Sequence, residues 1–146
     1  HLDLALPAEG AVFLGMNGQG KTNLLEAIYY PVLFRSLRNA KDTELIRHGE
    51  GAFRVRLDLA DASGPRTMEA AFQAAGRRKR VAVDGAETTK LVEAVGVWLA
   101  VAFLQTDVCL VSGSASERRQ FLDRALALSD PRYLRNLRHK HLRRCT

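Results

Sequence analysis

The stretch Gly15-Met16-Asn17-Gly18-Gln19-Gly20-Lys21-Thr22 constrains this chain more than any other. It completes the pattern G-x-x-x-x-G-K-[ST] of a phosphate-binding loop, which gains its meaning between a strand and the start of a helix. Both flanks fit. Ala11-Val12-Phe13-Leu14 is a short apolar run between Gly10 and Gly15 and predicts a buried strand. The residues that follow the loop place Leu24, Leu25 and Ile28 on one helical face. Gly15, Gly18 and Gly20 let the backbone turn its N–H groups inward toward phosphate oxygens. A helix starting near Lys21 adds the positive end of its dipole to the same anion site. Lys21 can reach terminal phosphates as a point charge, and the Thr22 hydroxyl can hold a Mg²⁺. Residues Gly15, Met16, Asn17, Gly18, Gln19, Gly20, Lys21 and Thr22 are therefore the candidate cofactor site. The chain binds a nucleoside triphosphate or descends from one that did.

Composition bounds the remaining possibilities. At 146 residues the chain is one domain or a piece of one, and a chain of this size can bury roughly two-thirds of its surface. The formal charge of +6, from 22 basic and 16 acidic residues, is compatible with a polyanionic partner. Cys109 and Cys145 stand far apart and read as reduced thiols rather than a disulfide frame. His139, His141 and Cys145 lie close in sequence but lack a fourth ligand for a metal. No apolar run approaches the length of about 18 residues that a membrane helix needs. The start, His1-Leu2-Asp3, reads as the middle of an open reading frame.

Along the chain, Leu2, Leu4 and Leu6 alternate with Asp3 and Ala5, a half-buried strand ended by Pro7. The helix after the loop is expected to stop at Pro31, which cannot extend the hydrogen-bond ladder. Arg35 and Arg38 follow, either in contact with phosphate or DNA or on a solvated loop. Asp42 to Arg47 reads as a short helix or turn ending at Gly49. From Phe53 the period becomes two: Phe53, Val55, Leu57 and Leu59 form one face of a strand. After a turn at Ala62-Ser63-Gly64-Pro65, Met68, Ala70 and Phe72 form the next, and Asp84-Gly85 marks a hairpin. This antiparallel meander spans 51–89. Its Gly76-Arg77-Arg78-Lys79-Arg80 segment reads as a turn carrying the densest basic run, which meets a DNA backbone or simply decorates a hairpin tip. Leu91 to Val95 suits a short helix, and Val97 to Leu104 is a near-continuous apolar run expected of a strand buried on both faces. Asp107, just after it, is a candidate carboxylate for Mg²⁺ at the end of that strand. Ser114-Ala115-Ser116-Glu117 is a capping box opening a helix with Phe121, Leu122, Ala125, Leu126 and Leu128 as its stripe. Arg118 and Arg119 sit in its first turn, where a helix dipole disfavours cations without an anion nearby. Pro131 starts a last helix, with Leu134, Leu137 and Leu142 ringed by basic residues.

Three stretches together resemble the RecF family of ABC-type DNA-repair ATPases. They are Asn17 to Ile28; Arg35-Ser36-Leu37-Arg38 with Asp42 to Gly49; and Leu110-Val111-Ser112-Gly113 with Glu117 to Asp123. The resemblance implies an α/β fold: the N-terminal half of a P-loop ABC-ATPase-type head, with the meander inserted and the start of a helical lobe. It divides the chain into a nucleotide-binding part, 1–113, and the beginning of that lobe, 114–146. It implies ATP with Mg²⁺ as cofactors. It makes Gln105 the glutamine that touches the metal and the attacking water, in competition with Asp107 as the Walker B carboxylate. Further implications are an ATP-dependent homodimer, single-stranded or gapped duplex DNA as ligand, RecO and RecR as partners, and a cytoplasmic place in replication, repair and the SOS response. The chain departs from the family at Phe34 and Leu37, where relatives carry a glycine and a phenylalanine. The signature segment, Walker B pair and switch histidine of a full head are not found after residue 108, so turnover by this chain alone is not expected. Two other functions fit the loop: an ATPase-inactive interaction module, and a P-loop kinase or GTPase using Asp107.

Overall fold

Alternation of apolar and polar residues builds the sheet. In a computed structural model, which describes residues 1–61, 64–88, 90–130, 132, 133 and 136, four strands form one antiparallel meander in the order β1-β2-β3-β4. They are β1 (Ala52–Asp61), β2 (Gly64–Gln73), β3 (Arg78–Val83) and β4 (Ala86–Thr88). The register sets Phe53 against Phe72, Val55 against Ala70 and Leu57 against Met68, then Met68 against Val83 and Ala70 against Val81. Residues at alternate positions share a face, so all of these point to one side, where Met68 and Ala70 are fully buried. Asp84 and Gly85 both take positive φ, 51° and 80°, giving the two-residue turn that joins β3 to β4. Gly64 and Pro65, expected in a turn, begin β2; residues 62 and 63 lie outside the described residues.

Against that face packs α1 (Lys21–Leu33). Its buried side is not the expected Leu24, Leu25 and Ile28. Glu26, Tyr30 and Phe34, spaced by four and therefore stacked on one face, are buried together with Pro31 and Val32, while Leu25 is half exposed. Tyr30 and Phe34 join Met68, Ala70, Val81 and Ala94 in one core, lined by Phe53, Val97 and Trp98. The Tyr30 and Phe53 rings meet edge to face with centroids 5.1 Å apart. Contrary to expectation the helix runs through Pro31. In the last turn a proline removes only one ladder bond, and one turn earlier the Trp98 Nε1 donates to the Ile28 carbonyl at 3.0 Å.

Lys79 locks the sheet to the helix. Its register partner is Phe72, so it faces inward. Its Nζ lies 2.8 Å from Asp42 Oδ2 and 5.3 Å from the centre of the Tyr30 ring, and donates to the Phe34 carbonyl at 2.6 Å. Tyr30 Oη donates to the other Asp42 oxygen at 2.7 Å. Burial first, and the Asp42 carboxylate second, push the Tyr30 hydroxyl far above its usual pKa. Asp42 opens a short 3₁₀ turn, Asp42–Leu45, where a short helix or turn was expected.

Three expected strands do not form. Leu2 to Leu6, Ala11 to Leu14 and Val97 to Leu104 are irregular, apart from a single bridge between Val95 and Trp98. Val12 is 83% exposed, Leu14 89% and Phe103 86%. A strand buried on both faces needs strands along its edges and layers above and below, and none lies beside these segments among the described residues. The C-terminal part has the two expected helices, α2 (Leu91–Ala94) and α4 (Ala115–Ser129), and a short one that was not expected, α3 (Cys109–Ser112). Ser114 and Glu117 form the capping box that opens α4. Its apolar stripe is not buried, however. Phe121, Leu122 and Leu126 stay exposed and only Ala127 is covered. The last helix proposed around Leu134, Leu137 and Leu142, and the His139, His141 and Cys145 group, lie outside the described residues. Among those described, no helix is long and apolar enough to cross a membrane, and Cys109 is a free, exposed thiol.

Candidate nucleotide-binding site

The 15–22 loop enters α1 through two glycines. Gly18 and Gly20 both have φ of 83°, the left-handed region that a side chain disfavours. Gly20 is the N-cap of α1 and supplies no side-chain cap, and the first turn carries no acidic residue. The first N–H groups of the helix are thus left pointing out of its end, as an anion site requires. A Cβ on Gly18 or Gly20 would meet nothing within 4 Å, whereas one on Gly15 would stand 4.0 Å from Lys21 Nζ. That ammonium donates to the carbonyls of Gly15 at 2.6 Å and Met16 at 2.7 Å. Both acceptors belong to the loop, so the charge is held inside its span. Thr22 is exposed in the first turn of α1, and its hydroxyl is the hard oxygen donor that Mg²⁺ prefers.

A polar network braces this end of the helix. Buried Glu26 accepts from Ser36 Oγ and from the Arg38 guanidinium, with Arg38 Nε at 3.1 Å. Arg38 Nη2 also donates to Asn23 Oδ1 at 3.2 Å. Burial alone would raise the Glu26 pKa, but hydrogen bonds from Arg38 and Ser36, with the Arg38 charge, hold it below its ordinary value. Beside the loop opens a cavity of about 980 Å³. Gly18, Gly20, Arg38, Arg47, His48 and Phe53 are among the residues that line it. The roles of Glu26, Asn23, Arg47 and His48 escape a reading of the sequence alone. The signal for Glu26 is its spacing of four from Tyr30; Arg47 and His48 carry none beyond the family pattern.

The other candidates are scattered. Gln105 and Asp107 lie in a 3₁₀ turn, Gln105–Val108, and neither lines this cavity. Asp107 Oδ2 accepts the Leu104 N–H at 2.7 Å, capping its own turn. Of the basic run, only Arg77 is in a turn; Arg78, Lys79 and Arg80 open β3, with Lys79 inward and its two neighbours outward. Arg80 faces Glu87 at 3.8 Å. Arg118 Nη1 folds onto the Gly113 carbonyl at 2.8 Å and Arg119 Nε onto that of Ala115 at 3.2 Å, both at the start of α4.

Comparison with known proteins fits this geometry. A DNA replication and repair protein RecF of Lacticaseibacillus casei is 38% identical over 136 residues, 93% of this chain and 36% of its own length. One from Chlamydia trachomatis serovar D is 37% identical over 140 residues, 96% of this chain and 38% of its own. The solved structure of the recombination mediator protein RecF-ATP in the RecFOR pathway superposes with a TM-score of 0.78 and 32% identity, covering 86% of this chain and 34% of that one. Over nearly its whole length the chain is a homologue of these RecF proteins. No family model matches the sequence. A second RecF structure, RecF-ATPrS, gives a TM-score of 0.75 over 84% of the chain. The fold is that of the RecF ABC-ATPase head, and the chain spans a little over a third of the length of the curated relatives it matches. Phe34 has φ of 53° at the end of α1, a conformation that a side chain makes unfavourable by roughly 1–2 kcal/mol and that glycine adopts freely.

Proposed function

We propose that this chain is the nucleotide-binding portion of a RecF-like DNA replication and repair protein. In this reading the phosphates of ATP lie on the N–H groups between Gly15 and Thr22, Lys21 turns from the Gly15 and Met16 carbonyls toward the terminal phosphates, and Thr22 holds Mg²⁺. A Mg²⁺ held there would neutralise charge on the phosphates. The nucleoside takes the adjoining cavity, with Arg38 held at its rim by Glu26. Gln105 stands as the metal- and water-facing residue of the assembled head. Asp107, occupied in capping its own turn, gives little support to a kinase or GTPase of the P-loop class. Assembly into an ATP-dependent homodimer, with Gln105 then brought to the metal, binding to single-stranded or gapped duplex DNA, and work with RecO and RecR belong to the same proposal, as does a cytoplasmic location.

One observation carries it: two left-handed glycines lead into an uncapped helix whose lysine is folded across the loop. Titration of the chain with a fluorescent ATP analogue in the presence of Mg²⁺ tests it. Lys21→Ala should weaken binding at least tenfold, the effect of losing one charge-assisted hydrogen bond of about 1.5–3 kcal/mol. Affinity equal in the two proteins defeats the reading.

A further inference from the structure

Two guanidinium groups from separate parts of the chain converge on a single neutral oxygen. Arg124 Nη2 of α4 donates to Asn39 Oδ1 at 2.6 Å, and Arg35 Nη2, from the loop after α1, reaches the same atom at 3.4 Å. Among the described residues neither arginine forms an ion pair. The two acids of α4 are engaged elsewhere. Glu117 accepts the Ser114 N–H at the helix start, and Asp123 accepts from Tyr133 Oη. Desolvation, and then the charge of Arg124, lower the Arg35 pKa; Tyr29 acts the other way. Like charges gathered on one amide, with no carboxylate between them, are held against their mutual repulsion. Asn39 itself sits at φ of 61°, in the left-handed region that Asn tolerates better than most residues.

Such a pair suits an anion with several oxygens. Guanidinium groups take phosphate in paired, planar hydrogen bonds that a point charge cannot match. The position also separates this pair from the nucleotide loop: Arg38, not Arg35, reaches Asn23 on the first turn of α1. We propose that Arg35 and Arg124, gathered by Asn39, grip a backbone phosphate of DNA where α4 meets the loop after α1. The proposal rests on the DNA-binding part of the function given above and assigns it to a surface other than residues 77–80. The net charge of +6 and the two further arginines at the head of α4, Arg118 and Arg119, favour a polyanion over an isolated phosphate ion.

The test uses the full chain and a fluorescein-labelled duplex with a single-stranded gap, read by anisotropy across a range of salt. Arg35→Gln with Arg124→Gln should weaken binding about tenfold or more at low salt. It should also lower the slope of log affinity against log salt by about 2, one for each arginine charge withdrawn from the DNA backbone. Asn39→Asp guards against a variant that merely misfolds. It places a carboxylate between the two guanidiniums, so the melting temperature should rise while DNA affinity falls. An Asn39→Asp protein that binds DNA as well as the unaltered chain overturns the proposal, as does an unchanged salt slope in the double variant. Inorganic phosphate serves as the competing source. If it raises the melting temperature through Arg35 and Arg124 while the double variant keeps its DNA affinity, the nucleic-acid assignment is wrong. If the unaltered chain binds no DNA, the wider reading fails and takes this one with it; if it binds and the variants are silent, only the arginine pair is refuted.

Discussion

At the C-terminal end of α1, order comes from side chains: Tyr30 and Phe34 are wedged against Met68, Ala70 and Val81 of the meander, and Lys79 ties the two together through Asp42. At its N-terminal end, order comes from the backbone: Gly18 and Gly20 hold left-handed turns, and the apolar side chains of Leu14 and Met16 stand in solvent. One helix therefore joins a region that folds by burial to a region that is shaped to receive an anion. Stability and binding should then separate by mutation. The largest effect is expected in the core. Met68→Ala removes a fully buried side chain from a central strand and should lower the unfolding free energy by about 2–5 kcal/mol, read from the urea midpoint. A drop smaller than about 1 kcal/mol, well under the usual range for such a truncation, would mean that the meander does not carry the fold.

Glu26 spans both regions, so it sharpens the contrast. Glu26→Gln leaves Arg38 without its carboxylate partner and should cost about 1.5–3 kcal/mol. The sign of the pH dependence follows from the lowered pKa. An ionised Glu26 stabilises the fold fully above the ordinary carboxylate value of 4.5, and that contribution fades as pH falls through the lower folded value. The gap between the two proteins in urea midpoint should therefore be wide at neutral pH and narrow in acid; a gap that widens in acid contradicts the network. Gly20→Ala acts on the other region alone. Nothing lies near a Cβ there, so its whole effect is backbone strain at φ of 83°, about 1–2 kcal/mol. Nucleotide affinity should fall with it even at temperatures where the protein stays folded, as fluorescence titration would register.

How far the sequence can be read follows the same division. The meander is legible because its faces alternate cleanly from Phe53 to Leu59 and from Met68 to Phe72, and strands paired with sequence neighbours need no distant partner. The phosphate loop is legible because its glycines and Lys21 have one strong physical use. The strands expected at Ala11 to Leu14 and Val97 to Leu104 fail for a reason the residues themselves do not contain. A uniformly apolar run records that it wants burial on all sides but not which segment will supply it. The buried face of α1 is hidden because Leu24 and Leu25 outweigh Glu26 by hydropathy. A buried carboxylate becomes intelligible only once Ser36 and Arg38 fold back onto it. Arg124 and Asn39, distant in sequence, give no joint signal at all.

The smallest effect expected on stability belongs to Arg77, and that makes it the cleanest probe of the basic run. Arg77 sits at φ of 49° in the turn between β2 and β3. Arg77→Gly removes left-handed strain of roughly 1 kcal/mol but gives the unfolded chain more freedom, which offsets it by about 0.5–1 kcal/mol. The two terms nearly cancel, so the melting temperature should hardly move. Any change in DNA affinity then reports charge alone. If Arg77 touches a phosphate, the salt slope should drop by about 1; if the tip is merely solvated, neither affinity nor slope will change. A silent Arg77→Gly beside a strong response at Arg35 and Arg124 would place DNA on the α1 loop and α4 rather than on the meander's tip. The reverse pattern would put the polyanion on the sheet and leave the arginine pair as a joint between helix and loop.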